Sequence, residues 1–231
     1  MRTTKSQGQS WKSMKMHFKI INLKLIQAEV KHLIFDLGGV IINLNTKLTI
    51  QAFSEITGKS IDETMDFAHS HPIFPAYEKG EVESAEFRSV IRSISHHPLA
   101  DEAIDLAWNA MILDLPTDRT DLLETLKGTY DIFLLSNTNH IHMDKVNQVR
   151  VDSGVRPFDL LFQKDYYSHL MGKRKPDTEI FDQVLSENNL NPTETVFFDD
   201  NVDNIKGAAQ LGIQTVHVTS PQVMMDYFNG Q

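Results

Sequence analysis

Five short apolar runs, HLIFDL, YDIFLLS, FDLLFQ, TVFFDD and QTVHVT, constrain this 231-residue chain more than any other feature. Each is rich in β-branched and aromatic residues, largely continuous rather than alternating, and closed by polar residues or glycine. Most of them fit the pattern of a strand buried on both faces. Between the second run and the last lie helix-type segments at HMDKVNQVRV, TEIFDQVLSEN and NIKGAAQLG. Strands and helices that alternate in this way predict an α/β fold, a Rossmann-like parallel sheet core with helices on both faces. Leu211-Gly212 offers the third helix a glycine stop.

The alternation is interrupted once. TIQAFSEITG, IDETMDFAHS, SAEFRSVIRSI and DEAIDLAWNAMI all show helical spacing, with no convincing strand among them. They predict an inserted all-helical cap domain over residues 46–118, between a first core part at 31–45 and a second at 119–231. An insertion directly after the first strand sits over the carboxyl ends of the sheet, where open α/β folds take their ligands.

Residues 1–30 are polar and then lysine-interrupted, without the continuous apolar stretch of a signal peptide or membrane helix. They read as a loosely attached extension. Residues 1–31 hold seven Lys or Arg against one Glu, so the remainder carries 15 basic and 30 acidic residues, a net −15. A surface of that sign repels nucleic acid and suits a cation requirement. Cysteine is absent, which excludes disulfides, thiolate metal sites and cysteine nucleophiles and fits a cytoplasmic protein.

Four segments gather polar chemistry at strand ends. In LIFDLGGVII, Asp36 closes a buried run and is followed by glycines that permit a sharp turn. Such an aspartate is either a nucleophile toward phosphorus or a simple turn cap. DIFLLS delivers Ser136, Asn137 and Thr138 ahead of a helix, as an N-cap or as part of an anion site. MGKRKPD sets Lys173, Arg174 and Lys175 before Pro176, either a solvated basic loop or a lysine aimed at a phosphoryl oxygen. VFFDDNVDN drives Asp199 and Asp200 straight out of an apolar strand. Adjacent carboxylates there lose hydration and repel each other, and a divalent cation relieves both penalties. Oxygen-only ligands favour Mg²⁺.

FDLGGVI, LLSNTN, MGKRKPD and VFFDDNVDN, in this order and spacing, resemble the four motifs of the haloacid dehalogenase superfamily over about residues 31–228. The likeness is greatest to the branch of glucose-1-phosphate phosphatase-like enzymes with a small helical cap. YEKGEVESAEF resembles the cap sequence of that branch and marks Glu78 and Gly80 as cap contacts. The resemblance implies Mg²⁺-dependent hydrolysis of a small phosphorylated metabolite, a sugar phosphate above all, through an aspartyl-phosphate; the acidic charge and the composition of residues 1–30 add the expectation of no nucleic acid or membrane partner. It makes Asp36 the nucleophile and Ser136 and Asn137 the holders of the phosphoryl group, with Lys175 neutralising it. The metal ligands would be Asp36, the carbonyl of Gly38, Asp200 and Asp199, directly or through water. Asp203 and Asn204 would orient Lys175 or the metal-bound waters.

Gly38 departs from the pattern, because most phosphatases of the superfamily carry there an aspartate that protonates the leaving group. Acid–base catalysis is worth ~10²–10⁴-fold, so an activated ester such as a sugar 1-phosphate suffers least from its absence. Glu78, His69 and His71 are the candidate substitute acids. Two other readings stand beside the phosphatase: a dehalogenase, which needs neither protonation nor Mg²⁺, and a catalytically weak member that binds phosphorylated ligands or a protein.

Overall fold

A computed structural model describes residues 29–229, so the extension expected over residues 1–30 lies almost wholly outside the described residues. Five strands, β1 (His32–Phe35), β2 (Asp131–Ser136), β3 (Lys164–Tyr167), β4 (Thr195–Asp199) and β5 (Gln214–His217), form one sheet in the order β3-β2-β1-β4-β5. Every neighbouring pair is parallel. The central strand is buried on both sides, as its uninterrupted apolar run requires. Leu33 and Phe35 join Ile132, Leu134, Val196 and Phe198 in the core on one face, while Ile34 joins Phe133, Leu135 and Phe197 on the other.

Helices cover both faces. The first is packed by α6 (Thr117–Leu126), α7 (His140–Asp152) and α12 (Pro221–Asn229), and the second by α10 (Thr178–Asn188) and α11 (Val202–Ala209). One expected strand is corrected. FDLLFQ does not enter the sheet: its first residues form a helical turn, α8 (Phe158–Leu161), and β3 is the next segment. Phe158, Leu161 and Phe162 all reach the core at i, i+3 and i+4, a helical spacing hidden inside a continuous apolar run. β3 itself is an edge strand that carries charge at Lys164 and Asp165, which guards an open edge.

The helical insertion comprises α1 (Thr46–Thr57), α2 (Ile61–Ser70), α3 (Ile73–Glu78), α4 (Ser84–Ser93) and α5 (Asp101–Asn109). Asn45 caps α1, and a capping box of Ser60 and Glu63 opens α2. These helices bury a core of their own, made of Phe53, Phe74, Tyr77, Phe87, Ile91 and Trp108 among others. The chain enters and leaves through a short antiparallel ribbon. Leu44 bridges Ile112, Asn43 exchanges backbone bonds with Leu113 and Asp114 (3.0 Å each), and Asn45 N–H donates to Met111 O (2.9 Å). Thr117 and Asp118, at the end of the expected cap segment, already belong to α6, whose Leu123 and Leu126 pack in the sheet's core.

Candidate active site

After β1 the chain moves to one side of the sheet for β2 and β3, then crosses to the other for β4 and β5. The carboxyl ends of β1 and β4 therefore part around a crevice, the usual ligand position in open α/β folds. Asp36 follows β1 there and Asp199 ends β4, while Ser136 ends β2. Lys175 reaches them from the loop before α10, and its peptide bond to Pro176 is cis.

Lys175 is the centre of the arrangement, with 1% of its surface exposed. Its Nζ donates to Asp36 Oδ1 at 2.8 Å, Asp199 Oδ2 at 2.7 Å and the carbonyl of Leu135 at 2.9 Å, which uses all three ammonium protons. Burial works against its charge, but Asp199 and Asp36 outweigh that and hold its pKa above the ordinary lysine value. Asn137 fixes the same residue through two backbone bonds. Its Nδ2 donates to Lys175 O and its Oδ1 accepts from Lys175 N–H, both at 2.9 Å. Gly207 permits this loop to lie against α11, since a Cβ there would fall 2.2 Å from the carbonyl oxygen of Pro176.

Asp36 is buried, and its Oδ1 also accepts the N–H of Leu37 at 2.7 Å. Loss of hydration raises its pKa, Lys175 pulls it back, and Asp199 and Asp200 push it up again, to about 7. Asp199 is fully buried and saturated by protein donors: Lys175, the N–H of Asn201 at 2.7 Å, and Asn204 Nδ2 at 3.0 Å from each oxygen. Asp200 points to the crevice, with its pKa raised by burial and by Asp199. Gly39, at φ +71°, makes room for it, because a Cβ there would lie 2.2 Å from Asp200 Oδ2.

Above these groups is a cavity of about 360 Å³, bounded by Asp36, Gly38, Ser136 and Asp200 from the core and by Glu78 and Trp108 from the insertion. Carboxylate oxygens of Asp36, Asp199 and Asp200 lie within 4.8 Å of one another. Hard oxygen donors at that spacing, without cysteine, fit Mg²⁺.

A model of the haloacid dehalogenase-like hydrolases matches residues 30–212. The chain belongs to this family. The D-ribitol-5-phosphate phosphatase of Bacteroides thetaiotaomicron is 31% identical over 186 residues, which span 80% of this chain and 90% of that protein. A crystal structure of a haloacid dehalogenase family enzyme from the same organism, in complex with magnesium and inorganic phosphate, is 38% identical with a TM-score of 0.71, and covers 81% of this chain and 93% of that one. The L-2-haloacid dehalogenase of Xanthobacter autotrophicus, at 15% identity, TM-score 0.55 and 80% and 76% coverage, shares the fold alone.

In this family member the structure gathers Asp36, Gly38, Ser136, Asn137, Lys175, Asp199, Asp200 and Asn204 at one place, with Glu78 at the rim. Glu78 Oε2 is paired there with Arg174, at 2.8 Å from both Nε and Nη2. Four expected residues are not gathered. Asp203 is exposed and pairs with Lys206 at 2.9 Å, because the first turn of α11 directs it outward while Asn204 turns inward. Gly80 does not line the cavity. It meets α9 (Ser168–Met171), where a Cβ would fall 2.1 Å from the His169 carbonyl oxygen, so its role is close backbone approach. His69 is exposed at the end of α2, and His71 accepts the N–H of Ile73 at 3.2 Å; neither lines the cavity.

Several contributors carry no motif signal. Ser168 clamps Thr138 by accepting its N–H (2.9 Å) and donating to its carbonyl (3.1 Å). Buried Arg119 donates to the carbonyls of Val40 and Ile41 at 3.3 and 3.1 Å, and to Asn43, and so pins the loop that follows Asp36. Leu44 occupies the space beside Gly38: a Cβ on Gly38 would come within 2.4 Å of Leu44 Cδ1.

Proposed function

We propose that this chain is a Mg²⁺-dependent phosphatase that hydrolyses small phosphate monoesters of the sugar and polyol class through a phosphorylated Asp36. The observation that carries the reading is the buried cluster of Asp36, Lys175 and Asp199 at the floor of the crevice. A carboxylate oxygen of Asp36 attacks phosphorus, the ester P–O bond breaks, and the leaving alkoxide takes a proton from water. Water then attacks the aspartyl-phosphate, which returns Asp36 and releases phosphate. Charge accumulates on the phosphoryl oxygens throughout, so catalysis is chiefly positioning and electrostatic neutralisation.

Lys175 supplies one fixed positive charge, and Asp199, held by Asn204 and Asn201, aims it. Ser136 presents its hydroxyl to the phosphoryl group, and Asn137 locks the Lys175 backbone. Asp36, Asp200 and the carbonyl of Gly38 would hold Mg²⁺, with Asp199 beside them. The bound cation lowers carboxylate repulsion and neutralises phosphoryl oxygens. Helices α1 to α5, which lend Glu78 and Trp108 to the cavity wall, are proposed as a cap that would exclude water from it.

The relative's named substrate is a polyol phosphate, and its similarity supports that class here. The acidic body argues against a nucleic acid partner. Among the described residues no helix is long and apolar enough to cross a membrane. Phosphate release from D-ribitol 5-phosphate and p-nitrophenyl phosphate, with Mg²⁺ and with EDTA, tests the reading. EDTA-sensitive release is expected. Chelator-resistant halide release from 2-chloropropionate would point to dehalogenation, and no release of either would point to a binding protein.

A further inference from the structure

His142, on the first turn of α7, forms part of the wall of the cavity that holds Asp36 and Asp200. Its position is fixed from three directions. The imidazole stacks on Trp108 with centroids 4.5 Å apart and planes 18° from parallel. Nδ1 lies 2.8 Å from Asn109 Oδ1. Asn139 Oδ1 accepts both the His142 backbone N–H at 3.0 Å and Trp108 Nε1–H at 3.4 Å, which ties the ring and its stacking partner to one cap.

An amide oxygen only accepts hydrogen bonds, so Nδ1 carries the imidazole proton and Nε2 keeps its lone pair. No hydrogen bond reaches Nε2 among the described residues, and it is not among their sealed-off polar atoms. The same cavity is lined by apolar Leu44, Met111, Ile112 and Val146 as well as by its polar groups. His142 thus brings to the wall of this cavity a fixed imidazole whose Nε2 acceptor has no partner among the described residues. Burial lowers the pKa of this histidine to about 3, so it stays neutral and accepting at physiological pH.

We propose that His142 Nε2 accepts a hydrogen bond from a hydroxyl group on the leaving alcohol, and so selects polyhydroxylated phosphate esters over apolar ones. The inference rests on the phosphatase reading and specifies the substrate side of that site. Its energetic basis is an asymmetry. An ester that offers a hydroxyl pairs the acceptor, while an apolar ester of similar size strips it of water and leaves it unpaired.

The test compares kcat/KM for D-ribitol 5-phosphate with that for p-nitrophenyl phosphate, which has no alcohol hydroxyl, in the full chain with Mg²⁺. His142→Phe retains the stack on Trp108 and removes the acceptor. It is expected to lower the ratio of the two constants roughly tenfold, mainly through KM for the polyol ester, the size of one lost hydrogen bond. His142→Gln, which returns an acceptor to the same helix position, is expected to recover part of that ratio. An unchanged ratio in His142→Phe, with both constants falling together or neither moving, would assign the residue a structural role and overturn the inference alone. So would a wild-type enzyme that hydrolyses p-nitrophenyl phosphate and not the polyol ester. A wild-type protein inactive on both would remove the phosphatase reading and this inference with it.

Discussion

The core of the helical insertion and the carboxyl edge of the sheet are both buried, and they are held by opposite means. In the insertion, Phe53, Phe74, Tyr77, Phe87 and Trp108 close on one another with ring centroids 4.6 to 5.9 Å apart. At the sheet edge the buried groups are two carboxylates and an ammonium, with contacts of 2.7 and 2.8 Å. Apolar burial is non-directional and stabilises in proportion to the area it hides, with the rings' stacked and edge-on contacts adding to it. A buried ionic cluster costs desolvation, and one ammonium facing two carboxylates is intolerable once that ammonium is removed. The aromatic core therefore supplies stability, while the site carries an electrostatic strain among its carboxylates that a divalent cation would relieve.

Lys175→Met probes the edge most severely. It leaves Asp36 and Asp199 facing each other without a cation between them, and should cost about 3–5 kcal/mol of stability as well as nearly all phosphate release. Thermal melts with activity assays at a permissive temperature check this, and a stable, active variant would break the contrast. Phe87→Ala opens the aromatic core, where the residue is fully buried. A comparable loss of about 3–5 kcal/mol is expected, but molecules that remain folded should retain kcat within a few-fold. A selective collapse of kcat would mean the two regions are not separable in this way.

Gly38 sharpens the comparison where the two regions meet. Asp at this position collides with Leu44 unless that side chain moves, so Gly38→Asp combined with Leu44→Ala should raise kcat on esters with poor leaving groups by ~10-fold or more, and Gly38→Asp alone by less. Equal rates for the two variants would show that Leu44 does not control the position. The smallest effect belongs to Asp203→Ala, outside both regions, which should shift stability by under ~0.5 kcal/mol and leave turnover intact. A large activity loss would return Asp203 to the site.

The three inner strands β1, β2 and β4 are legible because strands buried on both faces must be apolar throughout, and Asp36, Ser136 and Asp199 stand out as polar residues at the ends of such runs. FDLLFQ misled for the same reason, since three core-facing residues at helical spacing and an apolar strand look alike over six residues. Asp203 and Asn204 are adjacent, and only the phase of α11 decides that Asn204 faces Asp199 and Asp203 faces water. Arg119, Ser168 and His142 act through contacts between distant segments, and nothing local in their sequence announces them.

The central claim is that Asp36 is a buried, electrostatically strained nucleophile. Asp36→Asn, assayed beside the wild type for phosphate release in Mg²⁺ and for melting after cation removal, tests it most directly. Burial lifts the folded-state pKa of Asp36 to about 7, well above the unfolded value of about 4, so the carboxylate destabilises the fold progressively as pH rises between those values. The neutral amide should therefore abolish turnover while raising the melting temperature of the cation-free protein at pH 7.5, a gain that fades below about pH 4. Sustained phosphate release by Asp36→Asn, or a lowered melting temperature at pH 7.5, would contradict the account.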